Sequence, residues 1–250
     1  VLVDLHVIDR GALEDGPGRG RLVVMVHGAM DRATSFRRVW NHLRDFEMVA
    51  YDRRGYAGSL GVAATTDFAD QVADLRAVLA GRRAIALGHS FGGNVVLATA
   101  ATHPELISAA VVYEPPAPWR PEWPSASLSR PSTGTPGEQA EAFMRRMVGH
   151  RVWERLPAAT REQRRAEGPT LVTELAGLRA GAPFEISQVG VPVVVGCGSV
   201  GLPYAATWAR TLAGLLPRGE LVEVPGATHG IHLGDPAALA AMVRSAAAWA

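Results

Sequence analysis

Three features of the sequence predict an α/β fold built on a mostly parallel sheet with helices on both faces. Apolar runs of strand length alternate with amphipathic runs of helix length through the first half of the chain. A serine stands between glycines where a strand gives way to a helix, in Gly88-His89-Ser90-Phe91-Gly92-Gly93. Strand and helix signals then resume after residue 190, following a long helical stretch.

The elements follow in order. Residues 2–9 alternate loosely, as an edge strand does, and a Gly-, Asp- and Pro-bearing turn over residues 11–20 leads to the apolar run 22–26; together they read as an antiparallel hairpin feeding a buried strand. Phe36, Val39, Trp40 and Leu43 recur at spacings of three and four, which predicts a helix over 35–43. A short strand at 48–51 precedes the loop 52–59, and Thr66 or Asp67 caps a helix running to about Leu79. The strand 84–87, the serine turn, the helix 94–101 and the strand 109–113 complete this half. A Pro-, Trp- and Ser-rich stretch over 115–136 then opens into helical runs at 137–148, 152–156, 160–167 and 170–178. After Pro192 the sheet resumes with strand 191–195, helix 204–216 and strand 221–224. Asp235-Pro236 caps and opens the last helix, to Trp249.

Composition narrows the function. With 48% hydrophobic and 20% charged residues in 250, one large globular domain is expected. Twenty-five basic residues balance 24 acidic ones, and the arginines are scattered, so neither nucleic acid nor a membrane surface is expected as partner. A small molecule fits better. The single cysteine, Cys197, rules out an intramolecular disulfide framework and a multi-cysteine zinc site; it reads as a small buried hydrophobe in a cytoplasmic protein. No run is long enough to span a bilayer, no leader pattern follows Val1, and the histidines lack metal-ligand spacing.

The serine turn carries the chemistry. Glycines on both sides of Ser90 permit a sharp strand-to-helix turn that leaves the hydroxyl exposed, as in a nucleophile elbow. The helix begins at the serine, so its unpaired N–H groups face whatever the serine attacks, and the N–H of Phe91 is one oxyanion donor. A serine needs a base to take its proton, and histidine titrates in the working range. Eight histidines are available. His229 stands in the Pro/Gly loop after the last strand, with His232 as its rival; His89 is adjacent to the nucleophile but on a tight turn that aims it elsewhere.

The elbow at Ser90, the His27-Gly28 loop after an early strand, the loop 52–59 and the late loop histidine His229 occur in the order found in α/β-hydrolase fold enzymes, which the sequence resembles along nearly its whole length. The resemblance implies a mostly parallel sheet of about eight strands, with a helical cap inserted after the sixth. The core is then 1–114 and 191–250, and the cap 115–190. It also implies that Ala29 donates the second oxyanion N–H and that His229 is the base. The fold hosts esterases, lactonases, thioesterases, C–C hydrolases and perhydrolases, so it leaves the substrate open. A serine in place of an aspartate nucleophile argues against a haloalkane dehalogenase or epoxide hydrolase.

The sequence departs from the family in its acid. Most relatives carry an aspartate after the strand equivalent to 191–195, yet here that loop reads Gly196-Cys197-Gly198-Ser199-Val200-Gly201, and no carboxylate occurs between Glu185 and Glu220. Glu114, directly after strand 109–113, keeps the order serine, acid, histidine and has the reach to orient the imidazole. Two alternatives are a hinge role for Glu114 beside an arginine and a serine–histidine dyad supported by Ser199 or water. Asp52 and Arg53 are expected to brace the loop beside the elbow.

In the helical insertion, Trp119, Trp123, Phe143, Met144, Met147 and Trp153 form an apolar face suited to an acyl or alkyl group. Trp119, Phe143, Met144 and Met147 are the expected substrate-binding residues. The combined expectation is a hydrolase acting on a carboxylic ester or lactone through an acyl-serine intermediate, with no cofactor and no metal. A thioesterase, a C–C hydrolase and a non-catalytic ligand-binding relative are the alternatives.

Overall fold

The computed structural model describes residues 4–121, 123–124 and 133–250. Its strands are β1 (Val7–Arg10), β2 (Leu22–Val26), β3 (Glu47–Tyr51), β4 (Ala84–His89), β5 (Ile107–Tyr113), β6 (Val193–Gly198) and β7 (Gly219–Val224). They form one sheet in the order β1-β3-β2-β4-β5-β6-β7, parallel except for β1. The central strands are almost entirely apolar because both of their faces are covered; all five residues of β2, Leu-Val-Val-Met-Val, are buried.

Alternation along the strands sorts the core into two layers. Val24 and Val26 face the side packed by α2 (Phe68–Leu79), α3 (Phe91–Thr102) and α8 (Pro203–Leu215), through Leu75, Val95 and Leu212. Val23 and Met25 face the other side, packed by α1 (Arg37–Trp40) and α10 (Pro236–Ala247) through Val39, Trp40, Leu239 and Val243. Each such aliphatic side chain contributes about 1.5–3 kcal/mol by burial. The caps at Asp67 and Asp235 form as expected, each accepting a backbone N–H of its helix.

Three local expectations are revised. The first strand does not form a hairpin with the second: β1 pairs antiparallel with β3, because β2 already has parallel neighbours on both edges. The helix expected over 35–43 divides into a 3-10 turn, Ala33–Phe36, and a single α turn, α1. Seven strands stand among the described residues, in keeping with the about eight expected, and the insertion follows the fifth of them rather than the sixth. Residues 2–3 of the expected first strand lie outside the described residues, as do 122 and 125–132 of the Pro-, Trp- and Ser-rich stretch.

The insertion comprises α4 (Pro136–Val148), α5 (His150–Arg155), α6 (Ala158–Ala166) and α7 (Gly168–Ala180); a short helix α9 (Ile231–Gly234) follows β7. A reciprocal capping box between Thr135 and Glu138 starts α4. Phe143, Met144, Trp153 and Leu171 of the insertion pack against Met30 and Tyr56 from the loops after β2 and β3. In-register parallel strands bring the ends of β2, β4, β5 and β6 to one edge, so the segments holding His27, Ser90, Glu114 and Ser199 leave the sheet side by side.

Candidate active site

Ser90 follows β4 directly and is the residue before α3, with φ 52° and ψ −124°. A non-glycine residue is rarely held there, and such strain persists only where the surroundings over-determine it. They do here: the Ser90 N–H donates to the Tyr113 carbonyl at 2.9 Å, and its carbonyl accepts the Gly93 N–H at 2.8 Å. The turn is crowded, since a β-carbon on Gly92 would stand 2.1 Å from the Val26 carbonyl oxygen. One on Gly28 would stand 3.0 Å from the Ser90 Cβ, so the loop after β2 lies against the serine.

Glu114 leaves the end of β5 in a second strained conformation, φ 46°, and is 2% exposed. Its Oε2 accepts the Nδ1–H of His229 at 2.6 Å, and its Oε1 accepts the Gly198 N–H at 3.0 Å. The Glu114 N–H is in turn held by the Gly196 carbonyl at 3.0 Å. The loop expected to carry an acid thus supplies backbone support to one that comes from the neighbouring strand. Donating from Nδ1 to Glu114 fixes the imidazole tautomer and leaves Nε2 with its lone pair. The His229 backbone is itself anchored: His89 Nε2–H donates to its carbonyl at 2.7 Å, and the Tyr113 hydroxyl donates to the Thr228 carbonyl at 2.9 Å.

Ala29 and Phe91, the expected oxyanion donors, line the same cavity as Ser90, Glu114 and His229. Phe91 is the first residue of α3, so its N–H has no intrahelical acceptor. His27 supports the loop that carries Ala29: its Nδ1–H donates to the Gly28 carbonyl at 2.7 Å and its Nε2 accepts the Arg53 N–H at 2.9 Å. Burial, with the Arg53 charge beside it, depresses this imidazole to about 3, so it is neutral and no base.

Arg53 is fully buried, donates to the His27 and Gly28 carbonyls at 2.9 and 3.1 Å, and lies over the Phe91 ring. Its charge is met by Glu174 of α7, which also accepts from the Tyr56 hydroxyl at 2.7 Å. Asp52 accepts the Ala33 and Gly58 N–H groups at 2.8 and 3.0 Å. Both residues brace the loops as expected. The part played by Glu174 was not visible in the sequence, where it is one charge on a helix of mixed polarity.

The cavity divides into a narrow chamber of about 50 Å³ at Ser90 and an adjoining, wider vestibule of about 390 Å³. Phe143 and Met147 line both, and Met144 lines the vestibule. Trp119 is not among the lining residues: it packs edge-on against Phe184 at 6.4 Å, over the sheet. Trp123, Leu175, Leu178, Leu202 and Tyr204 line the chamber. Local periodicity marks them as apolar but cannot show which wall of the insertion turns inward. His232 does not approach Glu114; it faces Asp31, Nε2 to Oδ2 at 3.3 Å. Cys197 is buried and its thiol is pushed up to about 11 by that burial, leaving it unreactive.

Residues 23–242 match the alpha/beta hydrolase family. Lipase LipV of Mycobacterium tuberculosis is 32% identical over 118 residues, which is 46% of this chain and 43% of that protein, so the match spans less than half of the lipase. A putative 2-succinyl-6-hydroxy-2,4-cyclohexadiene-1-carboxylate synthase of Bacillus subtilis is 23% identical over 258 residues, covering 89% of each chain. Among solved structures, an enol-lactonase from Burkholderia xenovorans superposes with a TM-score of 0.74 at 20% identity, covering 96% of this chain and 95% of that one. An esterase from Exiguobacterium antarcticum superposes at 0.72 and 18% identity, covering 98% and 95%. At these identities the likeness to solved structures speaks for the fold. Among the described residues, no helix is long and apolar enough to cross a membrane.

Proposed function

Because the chain belongs to the alpha/beta hydrolase family, we propose that it is a serine hydrolase that cleaves a carboxylic ester or lactone of a small, largely apolar substrate. Ser90 Oγ attacks the carbonyl carbon while His229 Nε2 takes its proton, and Glu114 holds the resulting imidazolium in place. The N–H groups of Ala29 and Phe91 receive the oxyanion; losing one such donor costs on the order of a hundredfold or more in turnover. Collapse of the tetrahedral adduct expels the alkoxide, which His229 protonates. Water, deprotonated by the same imidazole, then attacks the acyl-serine and releases the acid and free Ser90. In a lactone the alcohol remains tethered to the acyl group until that second step.

The observation that carries this reading is the 2.6 Å pair between His229 and the buried Glu114, in the cavity that Ser90 also lines. In the same reading residues 115–190 are a cap over the core formed by 1–114 and 191–250. Phe143, Met147, Leu175 and Leu178 support an apolar acyl site. The test is hydrolysis of p-nitrophenyl esters of increasing chain length by the wild type and by Ser90→Ala. Turnover lost in the variant is the expected result, and equal turnover in both overturns the mechanism.

A further inference from the structure

A second cluster stands beside the proposed catalytic residues and is not used by the reaction. We propose that Asp31, His89 and His232 form a binding site for one divalent transition-metal ion of the zinc type. They come from three segments, the loop after β2, the end of β4 and α9, and one ligand atom from each lies within 4.8 Å of those of the other two. Ligands at about 2.0–2.1 Å from a tetrahedral zinc ion are roughly 3.3 Å apart. Asp31 Oδ2 and His232 Nε2 already stand at 3.3 Å. With one ligand atom of each residue already within 4.8 Å of the others, a small adjustment of His89 closes the set.

The hydrogen bonding of the histidines points to the same occupant. His89 commits Nε2–H to the His229 carbonyl, at 2.7 Å, which leaves Nδ1 as the lone-pair nitrogen; it is buried and has no hydrogen-bond partner. A metal-ligating histidine characteristically donates its other ring N–H to a backbone carbonyl or carboxylate, and that support is built in here. His232 is also 5% exposed and presents its Nε2 towards Asp31. Two imidazoles and a carboxylate suit zinc, cobalt or nickel rather than calcium or magnesium. All three residues line the 390 Å³ vestibule, which gives an ion its route in and leaves a fourth coordination position facing the cavity. Through His89, an ion held here is one side chain from His229.

The experiment uses the full chain after treatment with a chelator. Zn²⁺ is titrated calorimetrically, Co²⁺ is followed by its visible absorption, and a Zn²⁺-soaked crystal is examined by anomalous scattering. One equivalent bound with micromolar or tighter affinity is expected, with four- or five-coordinate Co²⁺ bands and an anomalous peak among the three side chains. Asp31→Asn and His232→Gln should each weaken binding at least about tenfold. Binding unaltered in both variants, an anomalous peak only at surface histidines, or no binding below about millimolar overturns the proposal. Should one variant fail to fold, the other and the crystal still decide. Binding requires no turnover, so this outcome is independent of whether the protein hydrolyses esters.

Discussion

Replacing Glu114 by glutamine removes one charge from a buried, fully bonded position and leaves its shape unchanged. In the wild type the carboxylate accepts twice, from Gly198 N–H and from His229 Nδ1–H. An amide can accept on its oxygen alone. If that oxygen keeps the Gly198 bond, the NH₂ faces His229, and the imidazole must shift its proton to Nε2 to accept at Nδ1. The nitrogen needed to deprotonate Ser90 is then occupied. If the oxygen turns to His229 instead, the tautomer survives, but the Gly198 N–H faces an NH₂ and the imidazolium loses its counter-charge. The first state is favoured because the Gly198 N–H is fixed backbone. The equivalent carboxylate-to-amide change in a serine protease triad costs on the order of 10⁴ in kcat, or about 5 kcal/mol of transition-state stabilisation, and a loss of that order is expected here. The assay is steady-state p-nitrophenyl ester hydrolysis, with circular dichroism and thermal melting to confirm the fold. A loss below about tenfold in a folded variant refutes the role of Glu114 and points to a serine–histidine dyad.

Other perturbations act on stability. Ser90→Gly and Ser90→Ala are both expected to lose acylation, but only glycine relieves the positive φ of 52°, so it should be more stable than the alanine variant by about 1 kcal/mol in urea unfolding; equal stabilities would remove the argument for backbone strain. Glu174→Ala leaves Arg53 buried without its counter-ion and should cost about 3–5 kcal/mol, a loss that a wild-type denaturation midpoint would contradict. His27 titrates at about 3 when folded, against about 6.5 when unfolded, so the unfolded chain binds more protons between those values. Its contribution is therefore full above pH 6.5 and is lost as pH falls towards 3, by up to about 1.4 kcal/mol per unit. His89, held well below its ordinary value by burial and by the rings of His232 and His229, adds in the same direction. Stability unchanged between pH 7.5 and 5 would contradict both.

What could be read in advance follows from the range of the forces involved. The strands, the caps at Asp67 and Asp235 and the elbow at Ser90 arise from interactions within a few residues, and the sequence displays them. The approach of Glu114 to His229 spans 115 positions, but both residues sit at the ends of strands whose order the parallel pattern constrains, so elimination among loop carboxylates could reach it. The pairing of β1 with β3 depends on which strand has a free edge, which no local pattern records. The inward wall of the insertion was equally hidden. Trp119 and Trp123 lie four residues apart in one Pro-rich stretch, yet one packs over the sheet beside Phe184 and the other faces the cavity. Nor does spacing reveal the Asp31, His89 and His232 cluster, whose members lie on three separate segments.

The central claim is that Ser90 carries the acyl group. Rapid quenching of a reaction with a slowly deacylating p-nitrophenyl ester, followed by intact-mass measurement and peptide mapping, tests it most directly. The account predicts a mass increase equal to one acyl group, located on Ser90, which forms with a burst of p-nitrophenol and is absent in Ser90→Ala. Steady turnover with no adduct, or an adduct on another residue, would contradict it.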